Sequence, residues 1–267
     1  MGKTIVHRKD FLDALHRMRL LDDTFFHSCF EGRPDCMELL LRIILNKPSL
    51  VVMKMHTQQE IPNLYGREVR FDVFACDTDG SEYNIEVQRS DEGAAPQRAR
   101  FHASMLDTMR IEKGVKWKDF PPTKVIFLTE NDVFSAGAPM YHIERTVREL
   151  GGRRFDDASE IIYVNASYQS DTEFGWLMHD FRCMNPEEMH YKVLAERARF
   201  FKTHESGVNT MCKIMEEIKE KGAVEATRNI ICNFLASKKL SYEEIAAGTN
   251  TTVEEVARIA KENGLAY

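Results

Sequence analysis

The stretch VRFDVFACDTDGSEYNIEVQR, residues 69–89, constrains the fold of this chain more than any other segment. Two runs of alternating apolar residues flank the Asp79-Gly80 turn signal, which is the pattern of a β-hairpin. Strand side chains alternate faces, so Val69, Phe71, Val73 and Ala75 share one side while Arg70, Asp72 and Phe74 share the other. On the second run Tyr83, Ile85 and Val87 alternate with Asn84, Glu86 and Gln88. A turn centred on Asp79 sets Asp72 opposite Glu86 and Arg70 opposite Gln88. A two-residue loop at Asp79-Gly80 would instead shift the register by one and separate the carboxylates onto opposite faces. Two carboxylates about 5 Å apart at their Cβ atoms repel each other and require a cationic partner. Arg70 supplies one in the plainer reading, a cross-strand salt-bridge cluster. The alternative is a hard-metal site in which Asp72 and Glu86 hold Mg²⁺ or Mn²⁺.

The pattern around the hairpin predicts an α/β sandwich on a mixed sheet. CMELLLRIILN places Met37, Leu40, Leu41, Ile44 and Leu45 on one helical stripe, with Pro48 beyond its end. LVVMKM precedes the hairpin as a further strand, and residues 94–112 form a helix entered near Pro96 with Phe101, Met105, Leu106 and Met109 inward. KVIFLT (124–129) and IIYVN (161–165) have the continuous apolar character of strands buried on both faces. Between them MYHIERTVREL reads as a helix ending at Gly151-Gly152. After Asn185 strand signals cease: a helix is expected to start at Pro186, VNTMCKIMEEIKEKG to stop at its glycine, and two short helices to follow capping boxes Ser241-x-x-Glu244 and Thr251-x-x-Glu254. Ile245, Ala246, Val253, Val256 and Ile259 would pack that pair into a helix-turn-helix silhouette or a small dimerisation element. The expected division is a core over 1–185 and a helical extension over 186–267.

Composition narrows the class. With 43% hydrophobic residues in 267 the chain can bury a real core, and a net charge of -6 excludes a histone-like basic binder. The six cysteines, Cys29, Cys36, Cys76, Cys183, Cys212 and Cys232, contain no CxxC pair, which argues against a zinc site or disulfide framework and fits a reducing cytoplasm. MGKTIVHRKD lacks the apolar centre of a signal peptide, and no membrane-length apolar span is present. Against this acidic background, the segment from Arg89 to Lys118 carries Arg89, Arg98, Arg100, Arg110, Lys113, Lys116 and Lys118 against Asp91, Glu92, Asp107 and Glu112. Such a basic segment beside an acidic pocket suits contact with backbone phosphates, which position a duplex without reading its bases. Arg98 and Arg100 are the leading phosphate contacts, with Arg70 and Arg89 beside them.

Arg-x-Asp72 followed across a hairpin by Glu86-x-Gln88 resembles the PD-(D/E)XK nuclease signature, in the variant of the recombination-promoting nuclease and transposase group that carries Gln for the usual Lys. LDDTFFHSCF is similar to that family's Asp-rich helix start, QRARFHASMLD to its Arg-bearing helix and KVIFLTENDVF to its following strand and loop. IIYVNAS, LMHDFRCMNPEEMHYKVLAERARFFK and MCKIMEE resemble its later segments. The resemblance implies a restriction-endonuclease-like core followed by an all-helical region. It also implies metal binding by Asp72, Glu86 and the main-chain oxygen of Val87, and Gln88 at the lysine position. An acid from the first helices, Asp23 or Glu38, would complete the set, and His27 receives no catalytic role. An amide orients water or phosphate but has no accessible proton equilibrium, so activation would rest on the metal.

The expectation is a Mg²⁺- or Mn²⁺-dependent DNA endonuclease linked to recombination or mobile elements, with DNA and a possible second copy of the chain as partners. Neither a membrane nor a small-molecule cofactor is expected. Two alternatives stand beside it: a catalytically degenerate fold that binds nucleic acid or protein, kept open by Gln88, and a partner module built on the helical tail.

Overall fold

The computed structural model describes residues 2–61, 69–109 and 116–266, so Arg110, Glu112 and Lys113 of the basic segment lie outside the described residues. The chain divides into two compact units, residues 1–208 and 209–267. In the first, α1 (Gly2–Arg17), α2 (Asp23–Phe30) and α3 (Pro34–Ile44) precede three strands, β1 (Val52–Ile61), β2 (Val69–Asp77) and β3 (Glu82–Gln88). Helix α4 (Pro96–Thr108), β4 (Thr123–Thr129), β5 (Met140–Ile143), β6 (Thr146–Val147), β7 (Arg153–Arg154) and β8 (Ser159–Asn165) follow, then α5 (Glu173–Arg182) and α6 (Lys192–Thr203). Six strands form one mixed sheet in the order β1-β2-β3-β4-β8-β5, flanked by helices. Strands β1 to β3 run antiparallel, β4 and β8 extend the sheet in parallel, and β5 closes it antiparallel to β8.

The hairpin takes the register of a turn centred on Asp79: Val73 pairs with Ile85, Phe74 with Asn84, Ala75 with Tyr83 and Cys76 with Glu82. The turn itself enforces this. Asp77 Oδ1 accepts the N–H groups of Asp79 and Ser81, the Gly80 N–H bonds to the Asp77 carbonyl, and Gly80 takes φ +81°, a conformation that glycine adopts without steric cost. The three-residue loop therefore leaves Asp77 facing Ser81, and the register follows.

Helix α3 buries Met37, Leu40, Leu41 and Ile44, and Leu45 caps its end half-buried. On α4, Met105 and Leu106 are buried, while Phe101 and Met109 pack at the edge of a cluster with Phe71, Phe74, Phe127 and Tyr163. MYHIERTVREL is not a helix. Its first residues form β5 on the open edge of β8, Thr146–Val147 pairs with β7, and only Arg148–Leu150 makes a turn of 3₁₀ helix. An unpaired sheet edge rewards extended aromatic and β-branched residues more than an isolated amphipathic turn does. Gly151 and Gly152, at φ +67° and +81°, turn the chain back toward β7.

Pro186 opens a 3₁₀ turn, Pro186–Glu188, and the helix proper, α6, begins at Lys192. Helix α7 (Glu205–Ser237) runs through Gly222, which is not a stop. A single helical glycine costs about 1 kcal/mol against alanine, too little to end a helix of 33 residues. In the second unit α8 (Tyr242–Thr249) has the expected Ser241–Glu244 capping box, whereas α9 (Val253–Glu262) is capped one residue later than expected, Thr252 accepting from the Glu255 N–H. Ile231, Leu235, Ile245, Ala246, Val256 and Ile259 form its core, with Val253 half-buried. No helix among the described residues is long and apolar enough to cross a membrane.

Candidate active site

The hairpin carboxylates stand where the sheet forks. The β2–β3 ladder ends at Val73–Ile85, yet β3 stays paired with β4 as far as Gln88–Thr129. On the other side the β1–β2 pairs step from Thr57–Val73 to Gln59–Phe71, omitting Gln58 and Asp72. The open rungs are closed by side chains. The Val87 N–H donates to Asp72 Oδ2 at 2.9 Å, and the Asp72 N–H donates to Glu86 Oε1 at 3.2 Å. Each carboxylate thus satisfies a buried backbone donor of the opposite strand, an arrangement that holds the two acids side by side.

Both acids are buried, Asp72 at 8% exposure and Glu86 at 0%. Burial, with the Glu86 carboxylate beside it, pushes the Asp72 carboxyl up to about 8, against the opposing pull of the Val87 N–H and Arg98. Glu86 leans on α4, where Arg98 Nη2 lies 3.3 Å from Oε2 and His102 Nδ1 lies 3.2 Å from Oε1. Arg98 and His102 are one helical turn apart, and Arg98 Nε donates to His102 Nε2 at 3.3 Å. That bond makes Nε2 the acceptor and leaves Nδ1–H to face Glu86 Oε1.

Asp72 leans the other way, toward α2. His27 Nε2 is 3.6 Å from Asp72 Oδ1 and 3.1 Å from Asp23 Oδ1. The helix is held in place by Phe26 and Phe30 against Phe181 of α5, by Phe25 against Phe201 of α6, and by Arg197, whose guanidinium donates to the carbonyls of Ser28 and Cys29 at the helix end. Spacing i, i+4 then puts Asp23 and His27 on the face that meets Asp72. Burial holds the His27 imidazole below its ordinary range, outweighing Asp23.

Gln88 projects toward the 3₁₀ turn Asp91–Ala94, and its Oε1 accepts from Arg98 Nη1 at 3.2 Å. Glycine at 93 leaves room for that amide, since a Cβ there would sit 2.0 Å from Gln88 Oε1 and displace it. The same turn is tied down by Tyr163, whose hydroxyl donates to the Ala94 carbonyl, and by Arg98, which donates to Gly93 O.

An open cleft of ≈ 1020 Å³ joins these groups, lined by Asp23, Arg70, Asp72, Val87, Gln88, Arg98 and the rim residues Glu60, Arg89 and Glu130. Arg89 is a clamp across the rim: its guanidinium pairs with Asp22 at 2.6 Å and Glu130 at 3.0 Å. Burial alone would raise the Glu130 carboxyl, but hydrogen bonds from Arg19 and Arg89 outweigh it and hold the group below its usual range. Arg70 and Arg100 are exposed.

Of the residues singled out from sequence, the fold brings Asp72, Glu86, Val87, Gln88, Asp23, Arg70, Arg89 and Arg98 to one cleft or its wall. Glu38 is not brought there. Its carboxylate binds Arg42 and the Val52 N–H, at the turn end of β1. His27, given no catalytic role from the sequence, stands beside Asp23 and Asp72, and Gln58 and His102, which were not singled out, join the site with it. His102 had a signal, its i+4 spacing from Arg98, whereas Gln58 had none.

The donor set suits a divalent cation. Two buried carboxylates share the fork, and His27 Nε2 is buried with no hydrogen-bond partner. Asp23, His27 and Asp72 each offer an atom to a common ion, these atoms lying within 4.8 Å of one another. A second such trio, His179, Asp180 and His190, differs in that Asp180 already accepts the backbone N–H groups of His190 and Tyr191.

No curated protein and no solved structure matches the chain. The sequence profile of the PD-(D/E)XK nuclease family transposases matches residues 36–173, just over half of the chain, and spans the forked hairpin, Gln88 and α4. With the mixed sheet and the paired acids at its fork, this match establishes that the chain belongs to the PD-(D/E)XK nuclease family transposases.

Proposed function

We propose that the protein is a divalent-metal-dependent endonuclease that hydrolyses DNA phosphodiesters in the recombination or movement of genetic elements. The reading is carried by one observation: two acids buried in a forked sheet, one of them driven up to about 8, stand beside an open cleft of ≈ 1020 Å³ whose lining includes Arg70, Arg89 and Arg98.

Asp72, Glu86 and the main-chain carbonyl of Val87 would hold the ion, which when bound supplies charge neutralisation for the transition state and lowers the pKa of water. Gln88, fixed by Gly93 and Arg98, orients a water or phosphate oxygen through its amide. Arg98 brings from α4 the positive charge that a lysine at position 88 would have carried, although a guanidinium does not give up its proton near neutral pH. Its work is electrostatic, so the leaving oxygen takes its proton from water. Arg70 and Arg100, both exposed, are the groups available to DNA phosphates. Arg89 is engaged with Asp22 and Glu130 and acts by shaping the rim.

One observation favours the degenerate binder. Arg98 already pairs with Glu86 Oε2, which gives that carboxylate a counter-charge without an ion. Supercoiled plasmid incubated with the protein in Mg²⁺, Mn²⁺, Ca²⁺ or EDTA separates the two readings. The nuclease nicks with Mg²⁺ or Mn²⁺ and not with EDTA; DNA retained without nicking in any metal supports the binder.

A further inference from the structure

His27 poses a problem that the hairpin acids do not answer. The residue is 6% exposed, yet its Nε2 makes no hydrogen bond and points between Asp23 Oδ1 at 3.1 Å and Asp72 Oδ1 at 3.6 Å. A buried, unmade hydrogen bond costs about 1–3 kcal/mol, so a fold keeps one where another partner compensates. The two distances are close to the separation of neighbouring ligands on one ion. Ligand atoms about 2.1 Å from one ion lie about 3.0 Å apart at a right angle and about 3.4 Å apart at the tetrahedral angle.

The far side of the ring is prepared as well. Gln58 bonds to His27 Nδ1 at 2.8 Å from a backbone with φ +52°, a conformation unusual for a non-glycine residue inside a strand. The β1–β2 ladder omits a pair at this point. The Gln58 amide stands with its nitrogen at Nδ1; turned end for end it offers its oxygen to Nδ1–H, and the Nε2 lone pair is then directed at the two carboxylates, the arrangement in which outer partners fix metal-binding histidines. Asp23 and Asp72 both line the cleft, which gives a hydrated ion a way in.

We propose that Asp23 Oδ1, His27 Nε2 and Asp72 Oδ1 form a nitrogen-containing cation position that takes a first-row transition ion such as Mn²⁺ in preference to Mg²⁺. Imidazole nitrogen favours such ions over Mg²⁺, which binds carboxylate and water oxygens. This position is distinct from the all-oxygen one formed by Asp72, Glu86 and Val87, with which it shares Asp72. Two of its three ligands, Asp23 and His27, lie on α2, outside the segment matched by the family profile. The inference rests on the nuclease reading only in taking Asp72 as a common ligand, and it is tested without cleavage.

The experiment is pulsed electron paramagnetic resonance of Mn²⁺ bound to the full chain, reading ¹⁴N modulation from a coordinated imidazole, with affinities from Mn²⁺ titration. The wild type is expected to show ¹⁴N modulation that His27→Gln abolishes and Glu86→Gln retains. Asp23→Asn, a change at an exposed helix position, should weaken Mn²⁺ binding about tenfold with the circular dichroism spectrum unchanged. Gln58→Ala should weaken it by about ten- to a hundredfold, as loss of an outer partner does. Mn²⁺ bound without ¹⁴N modulation, or modulation that survives in His27→Gln, overturns the proposal, as does a failure of wild type to bind Mn²⁺. Failure of the nuclease reading looks different: the ¹⁴N signature is present and DNA is never cut.

Discussion

Asp72→Asn should stabilise the metal-free protein, although it removes a residue at the heart of the site. The folded state keeps the Asp72 carboxyl at about 8 against its ordinary 3.8, so between those values the folded state holds a proton that the unfolded chain releases. Stability contributed by that proton is complete below about pH 4 and is lost as pH rises toward 8. At pH 7 the unfolded carboxyl is about three pH units above its own pKa, and at about 1.36 kcal/mol per unit the folded state bears a penalty on the order of 4 kcal/mol. Asparagine is isosteric, keeps an oxygen for the Val87 N–H and carries no charge. Discounting for structure left in the unfolded chain, the variant should be more stable by about 2–4 kcal/mol in EDTA at pH 7. With a urea m-value of about 2–3 kcal/mol/M this moves the midpoint of a circular dichroism transition up by about 1 M. At pH 4 the two midpoints should converge. Mg²⁺ at a hundred times its dissociation constant should stabilise the wild type by about 2.7 kcal/mol and the variant much less, narrowing or reversing the order. A variant less stable than wild type in EDTA at pH 7 would refute the argument, and would mean that the Asp72 carboxylate is charged and satisfied in the fork without a cation.

Other consequences follow from single contacts. Gly93→Ala, at a non-positive φ, should fold with a melting temperature near that of wild type but displace the Gln88 amide, lowering plasmid nicking about tenfold or more while Mg²⁺ binding by titration is unchanged. Arg100→Gln and Arg70→Gln should each weaken DNA binding uniformly across sequences and lower the slope of log affinity against log salt by about one, measured by fluorescence anisotropy. Gly222→Ala should raise the stability of the second unit by about 0.5–1 kcal/mol, since α7 runs through that position and nothing lies within 4 Å of the added methyl. Ser241→Ala should cost that unit about 1 kcal/mol in chemical denaturation by removing the α8 cap.

The hairpin was legible because turn chemistry and side-chain parity are local. Asp77, Gly80 and the alternation on either side fix the register without help from the rest of the chain. The buried strands 124–129 and 161–165 were legible for the same reason, as continuous apolar runs. MYHIERTVREL was not, because its conformation is decided by the free edge of β8, a partner absent from any local window. Gly222 misled because a glycine marks a helix end only where the chain takes a left-handed turn, and here it does not.

The site divides similarly. Asp72, Glu86 and Gln88 lie on one hairpin and could be read together, and Arg98 could be inferred from a basic helix. His27 and Gln58 could not, since their meeting depends on aromatic packing that swings α2 over the sheet and on a backbone irregularity opposite Asp72. Glu38 and Asp23 were equivalent candidates in sequence, and only tertiary structure shows one turned to the cleft and the other bound to Arg42.

The central claim is that the acids of the fork are a hydrolytic centre, and the most direct measurement is the single-turnover rate of Mg²⁺-dependent plasmid nicking in wild type and Glu86→Gln, with DNA affinity measured in parallel in Ca²⁺. Glutamine keeps the shape of the side chain and an oxygen for the Asp72 N–H. The account predicts a rate at least about a thousandfold lower in the variant, a loss of about 4 kcal/mol of transition-state stabilisation, with DNA affinity changed by less than about tenfold. Equal nicking by the two proteins, or tight DNA binding with no nicking by the wild type, would contradict it.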